Sequence, residues 1–258
     1  MSSNKKIIAG RHPIVGSYFG TQEYTGGYIG DFNFVFGKQA KQININGYIT
    51  PNPSNVASNG IDLGIVPTVN TKLEFYLYNT GGNMGDGSQN LGIKEHSGSV
   101  YPDSQDFRFF WASTPAIYFD MYNARINTNA HNNSNYTNRI MKVEAGRDSS
   151  RYAYMRLTRY SDDAQIYSGT SYCSAPDDFA WNRATLCLET RHSNNNYMRW
   201  LLIRIYEGEE MIMELYPYNK PNYGWCFLDN ISKNEFYTSS QAPWLYTETA
   251  ETITIEEK

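Results

Sequence analysis

The sequence predicts an all-β fold, an antiparallel β-sandwich preceded by a small N-terminal β-repeat segment. Aromatic residues make up 15% of the 258 residues, and tyrosine alone occurs 22 times, a composition that favours strands. Apolar and polar residues alternate with a period of two in many short segments, which recur at intervals of about ten to fifteen residues. No helical periodicity of useful length interrupts them.

The N-terminal segment, residues 7 to 37, is a short internal repeat. An apolar pair precedes a glycine four times, at Ile8-Ala9-Gly10, Tyr18-Phe19-Gly20, Tyr28-Ile29-Gly30 and Val35-Phe36-Gly37. Each unit has the length of one strand and one turn, and such units bury their aromatic face only against neighbours. We expect Tyr18, Gly20, Tyr28, Gly30 and Phe36 to serve oligomerisation or attachment. The alternative is a β-meander at the edge of the sandwich.

A change of composition marks the predicted domain boundary. Residues 38–59 contain one alternating strand and then a link rich in Pro, Asn and Ser, which is typical of a connection between domains. We therefore predict an attachment segment at residues 1–38 and a sandwich at residues 39–258.

The predicted sandwich continues through alternating segments separated by two long polar loops. The first loop, 79–99, is rich in glycine, and the second, 127–138, is rich in asparagine. Long loops within a compact domain are often functional. The predicted strands are two within 61–78, then 108–111, 116–122, 139–145, 152–160, 165–167 and 184–191.

The most regular alternation lies in residues 199–217, which predict a β-hairpin turning at Glu207-Gly208-Glu209 and stopped by Pro217. Arg204, Glu210 and Glu214 should be solvated or pair across strands. A second strand pair follows in residues 225–238, with turn chemistry at Asp229-Asn230 and Lys233-Asn234. Residues 244–258 predict a peripheral strand or a docking tail.

Two of these stretches carry a resemblance. Residues 199–238, with the order strand, Tyr-Glu-Gly turn, strand, Tyr-Pro and Leu-Asp-Asn-x-x-x-Asn-x-Phe-Tyr-Thr, resemble the end of LamG or concanavalin A-like domains of phage structural and gut-bacterial surface proteins. Residues 60–75 resemble the opening strand pair of that family. The N-terminal repeats resemble the Tyr-x-Gly strand repeats of phage tail and fibre proteins. The resemblance implies a concanavalin A-like jelly roll in a virion protein, and a trimer.

Composition argues against several classes of function. A formal net charge of −4 and the lack of a basic cluster exclude a nucleic-acid footprint. No apolar run has the length of a membrane span, and the N-terminus lacks the apolar region of a signal peptide, so we expect assembly in a bacterial cytoplasm. Cys173, Cys187 and Cys226 lack metal-site spacing and are predicted to be buried thiols.

No catalytic constellation is found. Concanavalin A-like glycanases, which this chain resembles in architecture, use a Glu-x-Asp-x-x-Glu strand that holds two carboxylates ~5 Å apart, and this pattern is missing. The acidic pairs Asp162-Asp163 and Asp177-Asp178 suit turns, because adjacent strand residues point to opposite faces. The four histidines are scattered. We therefore expect no enzyme activity and no metal or other cofactor.

A binding role fits better. Sugar-binding surfaces combine an exposed aromatic ring with amide and carboxylate groups, which the two long loops supply. Asp86 is also the one acid of a possible calcium site. The predicted function is a virion component that contacts other virion proteins or host surface polysaccharide. The alternative is a lectin-like module of a bacterial surface protein, with a glycanase third. The candidate ligand-binding residues are Asp86, Tyr101, His131, Asn133 and Tyr136.

Overall fold

The structure is a computed structural model, and it contains β-strands and turns and no α-helix among the residues that it describes. Every pair of hydrogen-bonded strands among the described residues is antiparallel. The all-β prediction is therefore confirmed. The described residues are 17–19, 22–25, 37–38, 41–50, 61–79, 88–95, 105–111, 116–128, 138–188, 198–237 and 244–258.

The chain divides into two compact units. The smaller comprises Met1–Ile43 with Thr254–Glu257, and the larger comprises Asn44–Ile253 with Lys258. In the smaller unit, three short strands form a sheet in chain order, β1 (Ser17–Phe19), β2 (Gln22–Thr25) and β3 (Gly37–Lys38). The predicted boundary after residue 38 stays a prediction.

The larger unit contains a six-stranded sheet. Its strands are β5 (Ile61–Asp62), β7 (Ser88–Glu95), β8 (Asp106–Trp111), β9 (Ile117–Tyr122), β10 (Ala124–Thr128) and β14 (Ala184–Leu188). Their order is β10-β9-β8-β7-β14-β5, so β10 and β5 are the end strands.

A ten-stranded sheet forms the second layer. Its strands are β4 (Gln42–Thr50), β6 (Thr71–Asn79), β11 (Arg139–Arg147), β12 (Tyr152–Arg159), β13 (Gln165–Tyr172), β15 (Trp200–Glu207), β16 (Glu210–Lys220), β17 (Gly224–Asp229), β18 (Glu235–Phe236) and β19 (Leu245–Glu256). The main order is β13-β12-β11-β6-β15-β16-β17-β18, and β4 pairs with β15 and β19.

The hydrophobic core lies between these two sheets. Leu73, Phe75 and Leu77 alternate along β6 and are completely or almost completely buried. The Phe75 ring meets Phe109 of the other sheet edge-on, with 4.6 Å between centroids, and Trp200 at 5.5 Å. Because strand residues alternate between faces, this packing leaves Lys72, Glu74 and Tyr76 on the opposite side. The architecture is a sandwich, consistent with a jelly roll.

Pro217 does not stop its strand, so that expectation was wrong. β16 continues to Lys220 and pairs Pro217 with Phe227 of β17. Among the described residues, the register of β16 with β15 ends at Ile203–Leu215, so Pro217 lies past the end of that ladder. A proline, which lacks an N–H, is tolerated in such an edge position.

The glycine-rich segment was wrongly predicted to be a continuous loop. Within it β7 pairs with both β8 and β14, and Leu91 and Ile93 alternate as buried core residues. β10 was also not anticipated. It turns back from β9 through Tyr122, whose φ of 56° lies in the left-handed region.

The predicted turns are largely confirmed. Gly208 (φ 61°) and Lys233 (φ 63°) adopt left-handed conformations at the hairpin turns, and Asp163 (φ 53°) also lies in a turn. The Asp229 carboxylate accepts hydrogen bonds from the backbone N–H groups of Ile231 and Ser232, as turn-forming aspartates do. Residues 245–256 form the predicted peripheral strand.

The three cysteines are buried thiols, as predicted. Separately, none of the described segments forms a helix with the length and apolar character needed to cross a bilayer.

Candidate functional site

Most sequence-predicted site residues lie outside the described part of the chain. Tyr18 lies in β1, while Gly20, Tyr28, Gly30 and Phe36 are outside the described residues. The same holds for the ligand-binding candidates Asp86, Tyr101, His131, Asn133 and Tyr136. Their predicted roles stay predictions.

The outer face of the ten-stranded sheet, which points away from the six-stranded sheet, carries a line of charged residues. Strand register places Arg156 opposite Glu144, Glu144 opposite Glu74, Glu74 opposite Arg204, and Arg204 opposite Glu214. We call these five residues the charged row. Successive side chains of a strand point to opposite faces, so these five lie on the outer face while their neighbours in sequence face the core.

Arg204 is the centre of the charged row. Its Nη1 donates to Glu74 Oε1 at 2.7 Å, and its Nε donates to Glu214 Oε1 at 2.8 Å. The cross-strand pairing expected for Arg204 and Glu214 is thereby confirmed. The second Glu214 oxygen accepts a hydrogen bond from Asn230 Nδ2 at 2.6 Å. The planar guanidinium fork presents several N–H groups in fixed directions, which lets one side chain serve carboxylates on two neighbouring strands.

Lys142 links Glu74 to Glu144, the third acid of the row. Its Nζ lies 3.1 Å from Glu74 Oε2 and 3.3 Å from Glu144 Oε1. Burial opposes ionisation of Glu74, but hydrogen bonds and charge from Arg204 and Lys142 outweigh it, so the pKa of Glu74 is held below its ordinary value. Burial, together with the neighbouring Glu74, raises the pKa of the Tyr76 hydroxyl, which donates to Glu74 Oε1 at 3.2 Å.

The carboxylate oxygens at the centre of the charged row already have hydrogen-bond or ion-pair partners. Both oxygens of Glu74 and both oxygens of Glu214 already receive donors. A general acid needs a carboxyl that holds its proton near neutral pH, usually because burial is not offset by cations. In Glu74, by contrast, Arg204 and Lys142 outweigh burial and hold the pKa of the carboxyl below its ordinary value. The geometry gives this row a structural role in joining β11, β6, β15 and β16.

A second surface feature is an exposed turn between β16 and β17. Asn222 (φ 68°) and Gly224 (φ 84°) are left-handed, and the Tyr223 N–H donates to the Lys220 carbonyl at 3.1 Å. The Tyr223 side chain is 54% exposed. The turn therefore presents an aromatic ring to solvent with an amide next to it in sequence.

Charged and polar groups surround that ring. Lys220 Nζ lies 4.8 Å from the Tyr223 ring centroid and 2.6 Å from Glu235 Oε2. Tyr237 donates to the same Glu235 oxygen at 2.8 Å. The hydrogen bonds from Lys220 and Tyr237 hold the pKa of Glu235 below its ordinary value. We call Asn219, Lys220, Asn222, Tyr223, Glu235 and Tyr237 the Tyr223 patch.

Sequence reasoning missed both features as sites. The missed residues were Glu74, Glu144 and Arg156 of the charged row and the adjoining Lys142. Their signal was that Lys72, Glu74, Lys142 and Glu144 alternate with apolar residues and so mark one polar face. For the Tyr223 patch, the exposed turn Asn219–Gly224 was the available signal. Among the described residues, no group of three or more His, Cys, Asp or Glu could hold a metal ion.

Comparisons with known proteins add little. No family model matches the chain, and no curated protein matches it. Among solved structures, scytalido-glutamic peptidase with a transition-state analogue inhibitor is similar over 65% of this chain and 82% of its own, at 9% identity and a TM-score of 0.30. At that level the similarity carries no argument about fold or activity.

Proposed function

We propose that this protein is a bacteriophage virion component whose β-sandwich contacts host surface glycans or other virion proteins without catalysis. The sandwich architecture and the resemblance of residues 60–75 and 199–238 to LamG-like domains of phage structural proteins support the proposal. A shared fold does not assign a function, so support for the contact role must come from the residues on the surface.

The Tyr223 patch is the observation that carries it. A tyrosine ring packs on the apolar face of a sugar ring, while amides and carboxylates bond the hydroxyl groups. Here the exposed Tyr223 ring lies beside Lys220, Lys220 in turn pairs with Glu235, and the ionised Glu235 is an acceptor for a hydroxyl donor. One such patch binds weakly, and repetition over a particle raises avidity without a stronger site.

A glycan-binding measurement tests the contact role. The full chain is passed over immobilised bacterial surface polysaccharides, with Tyr223→Ala as the variant and Tyr152→Ala as the control. Tyr152 is also an exposed tyrosine, 43% accessible, and its strand β12 is separated from β17 by four strands. We expect Tyr223→Ala to weaken binding about fivefold to tenfold, the size of one lost aromatic contact, and Tyr152→Ala to leave it unchanged.

The particle assignment has its own test. Mass spectrometry of purified phage particles from the producing bacterium should detect the protein in stoichiometric amounts. Glycan binding by a protein that no particle contains would favour the lectin-like alternative. Release of reducing sugar from the polysaccharides, abolished by an acid-to-amide substitution that leaves stability unchanged, would overturn the non-catalytic role and identify a glycanase.

A further inference from the structure

The two sheets of the larger unit have five end strands in the described structure, and one of them is unlike the rest. β19, whose partner among the described strands is β4, carries Glu248, Glu251 and Glu256. β5 and β18 are two residues long, and β10 carries Arg125. β13 is eight residues long, Gln165-Ile-Tyr-Ser-Gly-Thr-Ser-Tyr172, with no charged residue and no proline. Long end strands without charges or prolines offer unpaired backbone groups to another strand.

β13 is held on one side by β12 and on its inner face by the other sheet. Tyr167 donates a 2.7 Å hydrogen bond to the Asn127 carbonyl of β10, which ties β13 to the other sheet through the inner face. On the outer face, Ser168, Thr170 and Tyr172 are all exposed. β12 pairs with one side of β13, and no described strand pairs with the other.

We infer that β13 pairs antiparallel with β13 of a second copy of this chain, about a twofold axis through Gly169. This axis centres the pairing on residues 167–171, which lie beyond the register irregularity of β13. Same-face geometry then places Ser168 opposite Thr170 of the second copy, and Tyr167 opposite Ser171.

The side chains of β13 suit this partner. Ser and Thr side chains opposite one another form favourable cross-strand pairs, and like charges, which would oppose self-pairing, are absent from the strand. The register irregularity at Leu157/Thr158, opposite Gln165 and Tyr167, confines regular pairing to the part of the strand after Ile166. The dimer joins two ten-stranded sheets into one continuous sheet.

Charge substitutions at the two exposed positions test this pairing. In the inferred register, S168E with T170E places glutamates opposite glutamates on both sides of the axis, whereas S168E with T170K places each glutamate opposite a lysine. We expect the first pair to raise the dimer dissociation constant roughly tenfold or more, and the second to restore dimerisation. T247E with T252E, at exposed threonines of β19, is the matched control and should leave the dimer intact.

The readouts are solution mass by light scattering and hydrogen exchange of the full chain over a wide concentration range. The expected mass is two copies, or an even multiple, and amides of residues 167–171 should become protected as concentration rises. A monomer or an odd number of copies overturns the inference, as does an unchanged mass in S168E/T170E or failure of S168E/T170K to restore it. If the amides of residues 167–171 that point away from β12 show no change of protection with concentration, the inference is overturned as well, even if a variant folds poorly.

Discussion

At the scale of single residues, Arg204 matters most because two partly buried carboxylates depend on it. The Glu214 side chain is 2% exposed and shares Arg204 with Glu74. Ion pairs of this kind contribute little net stability compared with apolar replacements, but removing one partner leaves charges that are neither solvated nor neutralised.

We therefore expect Arg204→Met to lower the free energy of unfolding by about 2–3 kcal/mol, somewhat less than a fully buried pair because Arg204 keeps some solvent contact. Urea unfolding at pH 7 measures it. Arg204→Met combined with Glu74→Gln and Glu214→Gln is the control, and it should recover part of the loss because no unpaired charge remains. A triple variant less stable than Arg204→Met would contradict this explanation.

The pH dependence of stability belongs to the same residues. The pKa of Glu74 is lower in the folded protein than its ordinary value, so its ionised form stabilises the fold above that value. This contribution is lost as the pH falls from about 4.5 through the lowered pKa. We expect the acid-side decline in wild-type stability to become shallower in Arg204→Met, measured by urea unfolding at several pH values between neutral and acid. An unchanged slope would show that Glu74 does not depend on Arg204.

At the scale of elements, the placement of the last strand depends on one glycine. A Cβ on Gly47 of β4 would lie 2.4 Å from Tyr246 Cζ and 2.6 Å from the Thr247 backbone oxygen. Tyr246 itself is fixed, since it stacks on Trp225 with 3.7 Å between centroids and donates to Asn46 Oδ1 at 2.8 Å. The backbone oxygen cannot move without moving β19.

Gly47→Ala should therefore destabilise the protein by about 2–3 kcal/mol through overpacking, measured by chemical denaturation. Gly146→Ala is the matched control in β11. Its nearest contacts are Lys72 Cγ at 3.0 Å and Tyr154 Oη at 3.2 Å, which belong to side chains that can shift. Equal costs for the two substitutions would show that β4 and β19 separate more easily than the contacts indicate.

At the scale of the whole molecule, the three thiols report on the integrity of the sandwich. Cys187 lies on β14, Cys226 lies on β17, and Cys173 directly follows β13, and all three are completely buried. Burial raises the pKa of Cys226 to about 11. A buried thiol that holds its proton is a poor nucleophile.

We expect iodoacetamide to label none of the three cysteines in the native protein at pH 8, and all three at urea concentrations that unfold it. Mass spectrometry counts the labels, and circular dichroism on the same samples gives the unfolding transition. Labelling should follow that transition. Rapid native labelling of one site would show that its part of the sandwich opens independently.

The sequence predicted the class of fold because alternation, turn residues and aromatic content are local signals. The hairpin turn at Gly208, the turn at Asp229 and the final strand were predictable for this reason. The prediction that Pro217 ends its strand was wrong because the effect of a proline on a strand depends on whether other strands pair on both sides of it. β7 was missed because the glycine-rich segment has few apolar residues, among them Leu91 and Ile93, to mark the alternation of a strand.

Only the tertiary structure decided which charges meet. Glu74, Glu144, Arg204 and Glu214 are scattered over about half the chain, and strand register across β11, β6, β15 and β16 brings them into one row. The edge position of β13 likewise follows from sheet order. By itself the sequence determined an all-β protein with two-residue periodicity, because side-chain alternation is a property of each strand. Which strands are neighbours is a property of the whole fold. The charged row, the Tyr223 patch and the open edge of β13 could therefore be identified only from the tertiary structure.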